Sequence, residues 1–402
     1  MTGISRRALI ASVSTGGISL SAGCLGDFGR SGNGIDDGRE SEERAEPNGF
    51  ELETVVDGLT HPWGMAFLPD GRLLVTERVG RLLLVDPEAG SAEVLDGTPT
   101  VHARGQGGLL DVAIHPDMAD EPWVYLTYSA TDGGDGSTTR LGRGRLDTEA
   151  GRLEAFETIH AAEPYVDSTQ HYGSRVVFRD GSVYVTVGDR GFKDFGTEHV
   201  SQDTTTELGS TLRLDPDGSI PEDNPFVDDP DVRDSIFSYG HRNAQGMAVH
   251  PETGALWQSE HGERDGDELN VIEAGENYGW PIAHYGCEYG TDDPVGDLPH
   301  ERDDTVSPVY HWPCGSGGFP PAGMTFYDGE AFPNWRGDLF VGNLAGTYLG
   351  RFTVDGRDVD ERDPLLDDRE WRIRDVTTGP ENGRIYVAVD ADDAPIVRLV
   401  PE

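Results

Sequence analysis

The run Gly64-Met-Ala-Phe-Leu-Pro-Asp-Gly-Arg-Leu-Leu-Val-Thr76, followed by Gly80-Arg-Leu-Leu-Leu-Val-Asp86, sets the architecture of this chain. Short apolar runs are divided by a Pro-Asp-Gly turn and then by a turn containing Gly80. Runs of this length between such turns read as strands, so the stretch is a β-meander. The pattern returns at Leu110-Asp-Val-Ala-Ile-His-Pro with Trp123-Val-Tyr-Leu-Thr-Tyr128, and at Ser174-Arg-Val-Val-Phe-Arg-Asp-Gly-Ser-Val-Tyr-Val-Thr-Val187 with Thr211-Leu-Arg-Leu214. It returns again at Gly246–Gln258, at Gly323–Val354, and at Asp375–Val389 with Pro395–Val400. That makes about six copies spaced by roughly 45 to 75 residues, the scale of propeller blades or somewhat above it. A meander cannot bury both of its faces alone, and radial stacking solves this. The expectation is an all-β chain folded as a six-bladed β-propeller, with Leu52–Val56 completing the last blade and closing the ring. Helix signals are nearly absent. The inserts at about 132–140, 193–207, 220–234 and 285–307 read as loops.

The composition narrows the partners. Among 402 residues, 74 are acidic and 31 basic, a formal net charge of −43, and Lys193 is the only lysine. An anionic surface repels nucleic acid and anionic membranes, which excludes both as partners. The acids are spread among apolar runs, which argues for folded strands over disorder. Acids throughout, with Arg in place of Lys, point to adaptation to molar salt, where the screening length shrinks to roughly 3 Å.

Residues 1–24 read as a signal and not as part of the fold. Ser5-Arg6-Arg7-Ala8-Leu9-Ile10 opens a Gly/Ser/Ala-rich segment that ends Ser-Ala-Gly23-Cys24. The Arg pair resembles a twin-arginine export signal, and the ending resembles a lipobox in which Cys24 becomes a lipidated N-terminus. Residues 25–47 are rich in Gly, Ser, Asp and Glu and read as a disordered tether. Residues 48–402 form the propeller domain. The expected location is the outer face of the cell membrane, with membrane contact through that lipid anchor alone. In an exported chain Cys287 and Cys314 can form one disulfide, or stand as two small apolar residues. Two cysteines without paired spacing are a poor zinc site.

Polar clusters lie just before the inner strands, where the chain passes the central channel. Gln106, in Gly105-Gln106-Gly107-Gly108, is either part of a glycine turn or an amide at the channel mouth. His171 precedes a buried strand, and Asp189 follows the next strand of the same hairpin, so a carboxylate can reach the imidazole and fix its tautomer. Arg242 and Asn243 offer donors suited to an anionic, carbonyl-rich ligand. The loop Glu260–Glu268 has acids and bends suited to oxygen coordination of Ca²⁺, without the spacing of an EF-hand. An ordinary solvated acidic loop fits it too. Alternation puts Arg372 and Arg374 on one face of a strand, as cofactor ligands or as a salt-bridge ladder.

Order and context bring these pieces together. His-Pro-Trp-Gly-Met-Ala-Phe, Gly-Gln-Gly-Gly-Leu-Leu, Gly-Asp-Arg-Gly, Tyr-Gly-His-Arg-Asn-x-Gln-Gly, Glu-His-Gly, Asn-Tyr-Gly-Trp-Pro and Arg-x-Arg-Asp-Val occur in sequence. The chain from about residue 50 to 400 resembles the soluble sugar dehydrogenases that depend on pyrroloquinoline quinone (PQQ), the glucose/sorbosone family, and its aldose branch most closely. The resemblance implies oxidation of aldose sugars at C1 to lactones, with hydride transfer to PQQ assisted by Ca²⁺. His171 is then the general base, oriented by Asp189, and Arg242 stabilises developing negative charge. Gln106, Arg242, Asn243, Arg372 and Arg374 hold the cofactor. The carbonyls of Gly262 and Glu263 bind the catalytic Ca²⁺, and Glu268 with the Tyr278 carbonyl a second, structural one. The electron acceptor implied is a quinone or a small redox protein.

Three positions depart from that family. Ala345 stands where a cofactor-binding lysine is usual, and Lys193 lies elsewhere in the chain, which implies one contact fewer. Glu263 stands where proline is usual, which implies an altered calcium loop. Gln170 precedes the base where the glucose enzymes have Asp. Two other readings stay open: a sugar-binding or interaction propeller without cofactor, and a Ca²⁺-dependent lactonase-type hydrolase with side-chain carboxylates at the channel centre.

Overall fold

A computed structural model describes residues 49–402. The expected signal and tether, with Cys24, lie outside the described residues. The 24 strands form six sheets of four, and within each sheet the strands pair antiparallel in order of the meander. The first strands of the six blades are Pro62–Phe67, Leu109–Ile114, Val176–Arg179, Ala244–Val249, Pro321–Phe326 and Ile373–Thr378. Each contacts the first strand of the next blade, and the sixth returns to the first, which closes a ring around a central channel.

The two ends of the propeller lock that ring. Phe50–Leu59 pairs antiparallel with Ala394–Pro401, Phe50 against Pro401 and Leu59 against Ala394. The start of the propeller thus supplies the outermost strand of the sixth blade, as the pattern at Leu52–Val56 predicted. Apolar clusters fill the gaps between neighbouring blades. One joins Met65, Val75 and Val85 of blade 1 to Tyr386 and Ile396 of blade 6, and another joins Trp257 and Leu269 of blade 4 to Phe326 and Phe352 of blade 5. Both faces of a blade are therefore covered. This explains why second strands such as Leu73–Glu77 and Ser182–Val187 are buried throughout and do not alternate.

The loop expected at 132–140 is shorter than its polarity suggested. Ser137–Asp147 is a strand paired with Trp123–Thr131, and only the turn between them is irregular. Its hydroxyls satisfy buried carbonyls, Thr138 donating to Ala162 O and Thr139 to Tyr172 O, both at 2.6 Å. The other three inserts carry no strand, and helix among the described residues is limited to four single 3₁₀ turns. No helix among the described residues is long and apolar enough to cross a membrane. Cys287 and Cys314 form a disulfide, Cα–Cα 5.5 Å, which ties the 285–307 insert to the start of the fifth-blade approach.

The channel is plugged by charge. Arg175 Nη1 donates to Asp111 at 2.9 Å and to Asp375 at 3.1 Å, and its Nε donates to the Gln245 carbonyl. The guanidinium carbon stands 4.4 Å from the centre of the Trp63 ring. Several blades meet in this cluster, which forms the floor of the site above it. The Asp111 carboxyl is pushed up to about 7, by burial first and by Asp375, against the pull of Arg175.

Candidate active site

A cavity of about 440 Å³ opens over the plug. Its wall includes Gln106, His171, Arg242, Asn243, Gly262, Glu263, Arg372 and Arg374. Residues far apart in sequence converge here because each stands near the end of a strand that meets the channel, Arg374 as the second residue of its own strand. Asp189, Glu268 and Tyr278 stand outside the wall.

His171 occupies a left-handed backbone conformation, φ +46°. Its backbone N–H donates to Gln106 Oε1 at 2.8 Å. Its Nδ1 lies 2.6 Å from Asp189 Oδ1. Asp189 also accepts from Gly191 N at 2.7 Å and from Trp280 Nε1 at 2.8 Å. With three donors on one buried carboxylate, Nδ1 of His171 carries the proton and Nε2 is left as the acceptor. Burial holds the His171 imidazolium below its usual range, with Asp189 opposing and Arg242 adding to the shift. Burial alone would raise Asp189, but the charge and hydrogen bond of His171, then Arg242, hold it below the usual carboxylate value. The pair at neutral pH is a neutral imidazole on an ionised carboxylate, the arrangement of an oriented general base.

Arg242 faces this base. Its Nη2 donates to Glu263 Oε2 at 2.7 Å, its Nη1 to the His261 carbonyl at 3.3 Å, and its guanidinium carbon lies 5.2 Å from the Trp280 ring centre. Asn243 Oδ1 accepts from Gly173 N at 3.2 Å, so the residue after Arg242 is tied to the hairpin of His171. Arg374 donates to Gln245 Oε1 at 2.9 Å and to Asp390 at 2.7 Å. Arg372 donates to the Leu344 carbonyl at 3.1 Å and is half exposed. Both arginines line the cavity, and both face Asp390.

The acidic loop divides. Gly262 and Glu263 reach the wall, and Asp267 pins the Gly262 N–H at 2.9 Å. Glu268 is buried behind them, its carboxylate against Asn270 at 3.3 Å and His284 at 3.4 Å. Burial, then the neighbouring Glu260, push Glu268 well above the usual range. The Tyr278 ring stacks on His241 with centres 4.7 Å apart, and its hydroxyl donates to the Val271 carbonyl. Among the described residues no group of three or more His, Cys, Asp or Glu side chains is placed to hold a metal ion.

The model of the family described as glucose/sorbosone dehydrogenase matches residues 59–398. The chain belongs to the glucose/sorbosone dehydrogenase family. Aldose sugar dehydrogenase YliI of Escherichia coli K12 is 37% identical to this dehydrogenase over 364 residues, covering 89% of this chain and 94% of its own. The crystal structure of the soluble aldose sugar dehydrogenase of Escherichia coli in its apo form superposes with a TM-score of 0.81 at 38% identity, over 88% of this chain and 100% of that one. The PQQ-bound aldose sugar dehydrogenase of Streptomyces coelicolor does so with a TM-score of 0.70 at 28% identity, again over 88% of this chain and 100% of its own. The chain is therefore an oxidoreductase acting on sugars.

Several wall residues of this dehydrogenase escape a reading of the sequence. Asp390 pairs with Arg374 and, at 2.7 Å, with His61 Nδ1. Burial works to raise it, but Arg374 and His61 hold it low. A signal exists: Glu77, Asp189, Glu260, Asn343 and Asp390 all end or follow the second strand of their blades, so alignment of the internal copies exposes it. His261 is half-buried with its Nε2 inside, and desolvation followed by Arg242 and His171 keep it well below its usual value. Lys193, expected away from the site, contacts the Glu263 carboxylate at the wall through its ammonium.

Proposed function

We propose that the protein is a PQQ- and Ca²⁺-dependent aldose dehydrogenase that oxidises the C1 hydroxyl of aldose sugars to the lactone. The observation that carries this reading is the pairing of His171 with Asp189 on the wall of a cavity otherwise rich in guanidinium groups.

The residues fit the cofactor. The Nε atoms of Arg78, Arg242 and Arg374 are buried without a hydrogen-bond partner, and all three residues line the cavity. Unpaired buried donors carry a desolvation cost of about 1–3 kcal/mol each, and a ligand with carboxylates and quinone oxygens would offset it. Gln106, Arg242, Asn243, Arg372 and Arg374 would hold PQQ, and the Gly262 and Glu263 carbonyls a Ca²⁺ ion; Glu268 and the Tyr278 carbonyl would hold a second one. When bound, PQQ supplies the hydride acceptor and Ca²⁺ a Lewis acid that polarises it. Ala345 lines the cavity and offers no side-chain donor.

His171 Nε2 takes the proton of the anomeric hydroxyl, while Asp189 stabilises the imidazolium that forms. Arg242 provides positive charge where negative charge develops. The plug at Arg175 keeps the floor of the site rigid. It also stands between Asp111 and Asp375 at the channel centre, where a lactonase-type metal would need free carboxylates, so no observation favours that alternative.

In this reading the sequence signals at Arg6-Arg7 and Cys24 export the enzyme folded and anchor it by lipid on the outer face of the membrane. Electrons then leave to a quinone or a small redox protein. Reconstitution tests the function. The protein is purified in molar salt, loaded with PQQ and Ca²⁺, and dye reduction is followed with a panel of aldoses. Sugar-dependent turnover that is abolished by EDTA and by His171→Ala is the expected result. Absence of PQQ binding would overturn the reading and leave a cofactor-free sugar-binding propeller.

A further inference from the structure

Glu263 lies in the loop after the second strand of blade 4, and the chemistry of the site draws on its carbonyl alone. Its carboxylate is buried, with the residue 4% exposed, yet it carries two cations. Arg242 Nη2 is 2.7 Å from Oε2, and Lys193 Nζ contacts both oxygens. Lys193 comes from the loop that begins at Asp189, on blade 3. Its ammonium stands 5.4 Å from the Tyr289 ring centre and 5.6 Å from that of Phe195, so two aromatic rings hold it as well. One buried anion therefore ties the loop that carries the base-orienting Asp189 to the loop that carries the expected metal carbonyls.

Arg242 depends on this anion. Its other contacts are a neutral carbonyl and the Trp280 ring, and Glu263 is its one ion-pair partner among the described residues. A buried carboxylate facing a single arginine would cancel the positive charge that the reaction needs. With Lys193 sharing the same carboxylate, the three groups sum to one positive charge, and the guanidinium keeps its field while its orientation is fixed.

We propose that Glu263 is a positioning residue, whose carboxylate, with Lys193 as counter-cation, fixes the Arg242 guanidinium toward the cavity. The proposal rests on the reading of Arg242 as the group that stabilises developing charge in sugar oxidation. The charged and titratable groups around His171 are Asp189, Arg242, Lys193 and His261. Removing a charge from the brace therefore shifts the base in a direction set by the sign of that charge.

Lys193 is the only lysine of the chain, so an amine-acylating reagent followed by peptide mapping reads its pairing without cofactor or turnover. In the full-length protein without PQQ, Glu263→Gln is expected to accelerate acylation of Lys193 by about tenfold or more, because the ion pair no longer holds the ammonium. In the loaded enzyme Glu263→Gln lowers kcat on the order of ten- to a hundredfold with a smaller change in KM. It moves the acid limb of kcat/KM to lower pH, since two unpaired cations disfavour the imidazolium. Lys193→Gln moves that limb to higher pH, and Lys193→Arg restores the parent profile. If Glu263→Gln fails to fold, Lys193→Gln, whose side chain is half exposed, carries the pH arm alone. Equal acylation in parent and Glu263→Gln overturns the proposal, as does an unchanged kcat or a limb that moves the same way in both variants. A parent protein that shows the labelling contrast but oxidises no sugar with PQQ removes the functional reading and leaves the brace standing.

Discussion

Asp189→Asn replaces one buried carboxylate oxygen with an amide nitrogen, at a position where the carboxylate accepts from three donors. These are His171 Nδ1 at 2.6 Å, Gly191 N at 2.7 Å and Trp280 Nε1 at 2.8 Å. Asparagine offers one acceptor oxygen and one donor group. If its oxygen stays on His171 and Gly191, its amide group meets the Trp280 N–H, donor against donor. If it flips, the amide group meets Gly191 N and donates to His171 Nδ1, which moves the ring proton to Nε2 and leaves no acceptor for substrate. Either arrangement removes the charge that opposes burial at His171, so the base weakens further. General-base catalysis contributes about 10²–10⁴-fold, and loss of the orienting charge should take most of it. The expected fall in kcat is about 10²–10³-fold, with KM little changed because Asp189 does not line the cavity. The assay is steady-state dye reduction by the loaded enzyme, with PQQ affinity measured separately to show an intact site. A variant with kcat within about threefold of the parent and an unaltered pH profile would refute the assignment of His171 and Asp189.

Four further outcomes rest on the same geometry. Burial holds His171 below its usual value near 6.5, so kcat/KM should be flat at neutral pH and fall only as pH drops below about 6.5; a limb with its midpoint above about 7 contradicts this. Arg175→Met leaves Asp111 and Asp375 buried without their cation, which should cost about 3–5 kcal/mol in a denaturant titration; a loss under about 1 kcal/mol would show that the plug is not structural. Replacing Cys287 and Cys314 by Ala opens a loop with a sequence separation of 27 residues, and chain entropy sets the cost at about 3.5 kcal/mol; unchanged stability would mean the bond does not form. With a net charge of −43, the thermal midpoint should rise by about 10 °C or more between roughly 0.05 and 2 M KCl as screening tightens, and a flat response would end the halophilic reading.

The fold is legible in the sequence because a propeller repeats its instructions. Each blade restates the strand–turn–strand pattern, so an ambiguous copy such as Leu110–Pro116 is supported by clear ones such as Gly64–Asp86. Ring closure is legible for a related reason: a lone apolar strand at Leu52–Val56, outside any complete copy, needs a partner. Residues 137–140 show where this fails. Ser-Thr-Thr-Arg looks like a loop when polarity is read alone, and it becomes a strand because its hydroxyls meet buried carbonyls of segments more than about twenty residues away.

The site is legible in a different and narrower sense. His171 and Asp189 lie on one hairpin, so strand registry brings them together, and local spacing suggests the pair. Lys193 and Glu263 lie 70 residues apart on loops of different blades, and nothing in the periodicity of either loop specifies how far it reaches. Loop conformation is set by the contacts it finally makes, here a disulfide, two aromatic rings and a shared carboxylate. A sequence pattern records which residues face a sheet, because that follows from a period of two, but it does not record where an insert folds back. The single lysine of an intensely acidic chain therefore reads as remote from the cofactor, when its buried carboxylate partner stands on the wall of the site.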